Sequence, residues 1–197
     1  MLRDSVGVMA IMTRTLGGTG ADVTILSYGA MELRGRPRGP EIADEDAGRL
    51  LNAVLDSGIN LIDTSPDYGR SEELIGACIG HRRDEFFVAS KCGCPMDLPA
   101  RGAAAEDKNW RVSPLTQDPG VGQRNWETSG IAGLLSEAGM SNMEFVLRFT
   151  LSHPGLSTTI VGTSNPAHLA GNLAVAEKGP LPADLYAEAM KRLPLPG

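Results

Sequence analysis

The stretch Asn60-Leu61-Ile62-Asp63-Thr64-Ser65-Pro66-Asp67-Tyr68-Gly69, answered downstream by Ser90-Lys91, decides the fold of this 197-residue chain. Ile59–Asp63 reads as a buried parallel strand that ends in an acid, with a tyrosine just beyond it. Phe86–Ser90 reads as the next strand, delivering Lys91 at its end. Between them Ser71 can cap a helix running from Glu72 to Ile79 and closed by Gly80. Strand, helix and strand with short joints are the signature of a parallel sheet covered by helices. Asp63, Tyr68 and Lys91 then come from the ends of neighbouring strands. A tyrosine hydroxyl titrates near pH ~10 in water. An adjacent ammonium favours the phenolate and lowers that value, while a carboxylate holds the ammonium in place. Such a group suits carbonyl reduction, where a nascent alkoxide must collect a proton. Alone, Asp63 would be a strand-end cap, Tyr68 a packed rim residue and Lys91 a solvated cation; the spacing of all three gives the catalytic reading its weight.

The flanking sequence continues the same grammar. Over residues 44–57, Asp44 can cap a helix whose Ala47, Leu50, Leu51, Val54 and Leu55 share one face, with Gly58 as terminator. Upstream, Leu16-Gly17-Gly18-Thr19-Gly20-Ala21-Asp22-Val23 is glycine-rich. No Lys-Ser/Thr pair or helical pattern follows it, so it reads as a hairpin turn rather than a phosphate loop. The turn leads into a strand, Thr24–Tyr28, stopped by Gly29. Downstream, residues 94–129 are rich in Pro, Gly and charge, with Trp110 and Trp126 as lone anchors. An irregular segment of that length is unusual inside a compact domain. Order returns at Ser141-Asn142-Met143-Glu144, a capping box that opens a helix running towards His153-Pro154. Thr158–Val161 is a β-branched strand. Asn165-Pro166 starts a helix with proline at its first position, carrying Leu169, Leu173 and Ala176, and Pro182–Leu193 is a last amphipathic helix. Residues 1–12 read as an N-terminal extension to a single domain over 13–197.

Composition excludes several classes of function. With 24 acidic and 18 basic residues the formal charge is −6, and no basic block marks a nucleic-acid partner. Cys78, Cys92 and Cys94 cannot all pair and read as reduced thiols of a cytoplasmic protein. Cys92 and Cys94 form at most half of a metal site, with no second pair to complete it, so no metal is expected. No apolar run approaches the ~20 residues of a membrane-spanning helix.

The motifs together resemble the aldo-keto reductases. Arg14-Thr15-Leu16-Gly17 through Gly29-Ala30-Met31 is similar to that family's hairpin and first strand. Asp63, Tyr68-Gly69, Ser71-Glu72 and Lys91-Cys92-Gly93 resemble its second and third strands with their catalytic groups. Leu147-Arg148-Phe149 through Ile160-Val161-Gly162-Thr163-Ser164-Asn165-Pro166, with His168-Leu169 and Asn172-Leu173, resembles its last strand and helix. The resemblance implies a (β/α)8 barrel and NADP(H)-dependent reduction of an aldehyde or ketone. Tyr68 would be the proton donor, Lys91 the group that tunes it and Asp63 the group that orients Lys91. Gly162, Thr163, Ser164 and Asn165 would hold the cofactor phosphates. A helix start after a barrel's final strand is also a physically favoured anion site. His168 stands where NADPH-preferring members often carry an arginine, Gly171 where some carry an acid, and Asn172 keeps an adenine contact.

A complete (β/α)8 barrel typically takes ~250 residues, and this chain offers four parallel-strand candidates. By the resemblance they are the eighth, first, second and third strands, adjacent in that order; the middle four are missing between about Pro95 and Arg101. Glu106-Asp107-Lys108-Asn109-Trp110 resembles sequence after the family's seventh strand. The family's catalytic histidine, at the end of the fourth strand, would go with them, and His81, His153 and His168 do not replace it. Losing one donor to a developing oxyanion costs ~10²–10³ in rate, so activity is expected to be impaired. The alternative is a non-catalytic, reductase-like protein that binds a dinucleotide or a partner. Two open sheet edges are expected to promote self-association.

Overall fold

The computed structural model describes residues 11–36, 39–91, 126 and 128–193. Two compact units divide the chain: Met1–Cys92 with Leu147–Pro180, and Gly93–Val146 with Leu181–Gly197. Cys92, Cys94, Trp110 and most of the 94–129 segment lie outside the described residues.

In the first unit, β1 (Thr13–Thr15) and β2 (Asp22–Thr24) pair antiparallel across the glycine-rich turn, as the hairpin reading requires. The expected strand Thr24–Tyr28 is divided in two. Thr24 closes β2, and β3 begins at Leu26 and runs to Gly29. Ile25 is the switch between them. Its N–H donates to Met12 in the hairpin, and its carbonyl accepts from Thr159 at the start of the last strand. A 3₁₀ turn (Ala30–Arg34), which the sequence reading lacked, leads towards α1 (Asp44–Asp56). β4 (Leu61–Asp63), α2 (Ser71–Ile79), a second 3₁₀ stretch (Gly80–Glu85) and β5 (Phe87–Ala89) follow.

Four parallel strands form one sheet in the order β5-β4-β3-β6, with β6 at Thr159–Gly162. This is the expected eighth-first-second-third arc, an incomplete α/β fold. Its register sorts the side chains, since alternate residues of a strand face opposite ways. Val161, Tyr28, Ile62 and Val88 form one row across the sheet, and Gly162, Gly29, Asp63 and Ala89 form the next. Tyr28 and Ile62 of the first row belong to the buried core, together with Leu50, Leu51 and Val54 of α1 and Leu74 and Ile79 of α2. That face holds the helices to the sheet. The second row brings Asp63 to the carboxyl end of the sheet, where ligands bind in folds of this class.

Two expected helix caps are replaced. Asp44 is the first residue of α1, not its cap, and its carboxylate is engaged by Arg70. Ser71 is the first residue of α2 and fully buried. Its hydroxyl donates to the carbonyl of Ala30 at 3.1 Å and therefore accepts from Thr64 Oγ1 at 2.9 Å. A buried acceptor on a neighbouring element outcompetes the local capping role.

The second unit includes α3 (Ile131–Ala138), a helix that the sequence reading lacked. Its αL glycines, Gly130 and Gly139, bracket a segment too short to show a clear period. α4 (Asn142–Ser152) passes from this unit into the first at Leu147. The backbone N–H of Glu144 donates to Ser141 Oγ at 3.2 Å, one half of the expected capping box. Trp126 stacks edge-on against Phe145 with centroids 5.8 Å apart. Arg192 of α6 (Ala183–Arg192) donates to the carbonyl of Gly130.

Candidate active site

β4 and β5 end side by side, with Asp63 in register with Ala89. Two residues beyond Ala89, Lys91 turns back across the strand ends. Its ammonium donates to both carboxylate oxygens of Asp63, at 3.0 and 2.8 Å, and to the carbonyl of Thr64 at 3.0 Å. The same nitrogen lies 4.7 Å from the centre of the Tyr68 ring. Asp63, Tyr68 and Lys91 are thus brought together. Partial burial pulls the Lys91 ammonium towards neutrality. The Asp63 carboxylate and the Tyr68 hydroxyl outweigh that pull and hold it above the ordinary lysine value. At neutral pH the group is a fixed cation.

The Tyr68 turn is anchored on both sides. Gly69 has φ +50°, and a Cβ there would lie 2.1 Å from the carbonyl oxygen of Arg34. Only glycine lets this turn rest against the 3₁₀ segment. Next in sequence, Arg70 grips Asp44 with two hydrogen bonds, 2.7 and 3.0 Å, and Glu73 at 2.8 Å. These hydrogen bonds hold the Asp44 and Glu73 carboxyls below the usual carboxylate range. Lys91 has its own anchor, because Ser90 Oγ donates to Glu72 of α2 at 2.6 Å. Gly69, Arg70, Ser90 and Glu72 received no positioning role in the sequence reading. Gly69 and Arg70 meet Arg34 and Asp44, Ser90 and Glu72 meet each other, and no local pattern announces these distant pairs.

The other candidate group follows β6. Gly162, Thr163, Ser164 and Asn165 form the turn into α5 (Pro166–Glu177). Gly29 and Gly162 let β3 and β6 approach closely: a Cβ on Gly29 would meet Ile160 Cγ2 at 2.9 Å, and one on Gly162 would meet the Gly29 carbonyl at 3.1 Å. Asn165 caps the helix, its side chain accepting from the N–H of Ala167 at 2.9 Å. The supply of free amides at this helix start is smaller than a bare N-terminus would offer. The Asn165 N–H is taken by Thr163 Oγ1, Pro166 has none, and the Ala167 and His168 N–H groups bond back to Asn165. Ser164 is an exposed residue, and its N–H has no partner among the described residues. His168 is exposed and Asn172 half-buried, four residues apart on the same face of α5.

A groove of about 280 Å³ opens beside Ser164 and Pro166. Its wall is acidic, with Glu32, Glu41 and Asp46 against a single arginine, Arg49. That arginine is already paired with Glu45 and Asp46. Asp63, Tyr68 and Lys91 do not line this groove. Among the described residues, the partners of Lys91 are Asp63, Thr64 and Tyr68, and none is a histidine. His81, His153 and His168 are all exposed. No group of three potential metal ligands occurs among the described residues. No described helix is long and apolar enough to cross a membrane.

Comparison with known proteins identifies the family and the fold. The aldo/keto reductase family model matches residues 25–118 and 123–191. L-galactose dehydrogenase of Arabidopsis thaliana is 39% identical over 88 residues, covering 42% of this chain and 27% of that protein. Pyridoxal 4-dehydrogenase of Microbacterium luteolum is 39% identical over 82 residues, covering 41% of this chain and 23% of that one. The match therefore spans about a quarter of these curated relatives. The holo aldo-keto reductase of Bacillus halodurans superposes with a TM-score of 0.56 at 18% identity, over 93% of this chain and 97% of that one, a likeness of fold. With the family model covering most of its length, the chain belongs to the aldo/keto reductase family.

Proposed function

We propose that this protein binds NADP(H) and reduces an aldehyde or ketone slowly, with Tyr68 as the proton donor. One observation carries the reading: the Lys91 ammonium is held jointly by the Asp63 carboxylate and Tyr68. When bound, the reduced nicotinamide would supply a hydride to the carbonyl carbon. Tyr68 gives its proton to the oxygen as charge develops there. The phenolate left behind has the Lys91 cation 4.7 Å from its ring centre, and Asp63 keeps that cation in place. The unpartnered Ser164 N–H and the exposed turn around it suit an anion, so Gly162, Thr163, Ser164 and Asn165 would hold the cofactor phosphates. His168 and Asn172 would face its adenosine end. Without a histidine beside the site, one donor to the developing oxyanion is missing, worth ~10²–10³ in rate. Titrating NADPH and following its fluorescence tests the binding step, and oxidation with a panel of aldehydes tests the chemistry. Saturable binding with slow turnover is expected; absence of binding contradicts the reading.

The same reading carries a proposal on assembly. Among the described residues no strand pairs with the outer edge of β5 or β6. Neither strand contains a charge or a proline to discourage pairing. Phe87, Val88 and Ile160 on them are exposed apolar side chains. A two-fold about the barrel axis would join β5 of one copy to β6 of another and complete eight parallel strands. Light scattering at micromolar concentration should return a dimer that Val88→Lys dissociates; a clean monomer contradicts the proposal.

A further inference from the structure

We infer that Tyr28 is a positioning residue for the phosphate-binding turn, acting through a single peptide plane; the inference rests on the dinucleotide reading above. Tyr28 lies on β3 in register with Val161 of β6 and is 1% exposed. Its hydroxyl passes the strand end and donates to the carbonyl of Thr163 at 2.8 Å in a buried hydrogen bond. Burial, reinforced by the nearby Glu32 carboxylate, pushes this phenol well above its ordinary value, so the donor keeps its proton throughout the physiological range.

The Thr163 carbonyl and the Ser164 N–H belong to one planar trans peptide and point in opposite directions. Fixing the carbonyl inward on Tyr28 therefore fixes the Ser164 N–H outward. That N–H has no partner among the described residues, whereas those of Asn165, Ala167 and His168 are bonded within the turn. Thr163 supports the same orientation, because its hydroxyl accepts from the N–H of Asn165 at 3.0 Å. Tyr28 never meets the ligand. It aims the donor that does.

Tyr28→Phe removes the hydroxyl and keeps the ring that fills the core. Full-length wild type and variant are titrated with NADPH and with adenosine 2′,5′-bisphosphate, a fragment lacking the nicotinamide. Melting temperature and amide exchange over residues 163–167 are followed in parallel. Both ligands should bind about two- to tenfold more weakly to the variant, the factor one ordinary hydrogen bond converts to. The turnover rate at saturating NADPH should be unchanged, and the Ser164 amide should exchange faster. A lower melting temperature with unchanged affinities would mean a merely structural role and overturn the inference alone. Failure of the wild type to bind either ligand would overturn the dinucleotide reading and the inference with it.

Discussion

Replacing Gly69 by alanine should disable the site while leaving most of the fold intact. The added Cβ would stand 2.1 Å from the carbonyl oxygen of Arg34, whereas a carbon–oxygen contact settles at roughly 3.3 Å. The turn must therefore withdraw by about 1.2 Å, or the 3₁₀ segment must yield by as much. The positive φ of 50° adds about 1–2 kcal/mol for a residue with a Cβ. Tyr68 is the preceding residue, so the displacement is delivered to the proposed proton donor. A misplacement of about 1 Å at a reacting group costs on the order of 10²-fold in rate. Gly58→Ala is the matched control: its φ is +89°, but nothing lies within 4 Å of the added Cβ. Both variants should lose melting temperature; only Gly69→Ala should lose kcat/KM for NADPH-dependent aldehyde reduction, by about 10²-fold. Equal activity in the two variants, each shown folded by circular dichroism, would refute the reasoning.

Other consequences concern stability. Ser71→Ala leaves the Ala30 carbonyl and the Thr64 hydroxyl short of a buried partner, and should cost about 1–3 kcal/mol in a denaturant titration. Leu50→Ala, at a core position 1% exposed, should cost about 2–5 kcal/mol in the same experiment. The Arg70 network sets an acid dependence. Asp44 and Glu73 are held below their unfolded values, so their contribution is present above about pH 4 and lost as pH falls through the depressed values. The gap in melting temperature between wild type and Arg70→Leu should therefore shrink on acidification, and a gap constant down to about pH 2 would contradict that account.

The parallel arc and the Asp63–Tyr68–Lys91 constellation were legible because each depends on short-range pattern: apolar strand cores, helix faces at 3.6 spacing, and functional groups at strand ends. The caps at Asp44 and Ser71 misled because each residue found a distant partner, Arg70 in one case and Ala30 in the other. The same limit hid Gly69, whose requirement for glycine comes from Arg34, and Tyr28, which reads as one more core aromatic until its hydroxyl is seen on Thr163. The helix-start reading at Asn165-Pro166 held for the cap. Fewer amides are free there than at a bare helix start, because Asn165 and Thr163 satisfy several of them.

The account turns on Tyr68 donating a proton next to Lys91 and Asp63. Its most direct test is the rate of NADPH oxidation by a reactive aldehyde, compared between wild type and Tyr68→Phe at saturating cofactor. The account predicts slow wild-type turnover that falls by a further 10²–10⁴-fold, roughly the worth of a positioned general acid, while NADPH affinity stays within about twofold. Turnover that survives the loss of the hydroxyl would contradict it.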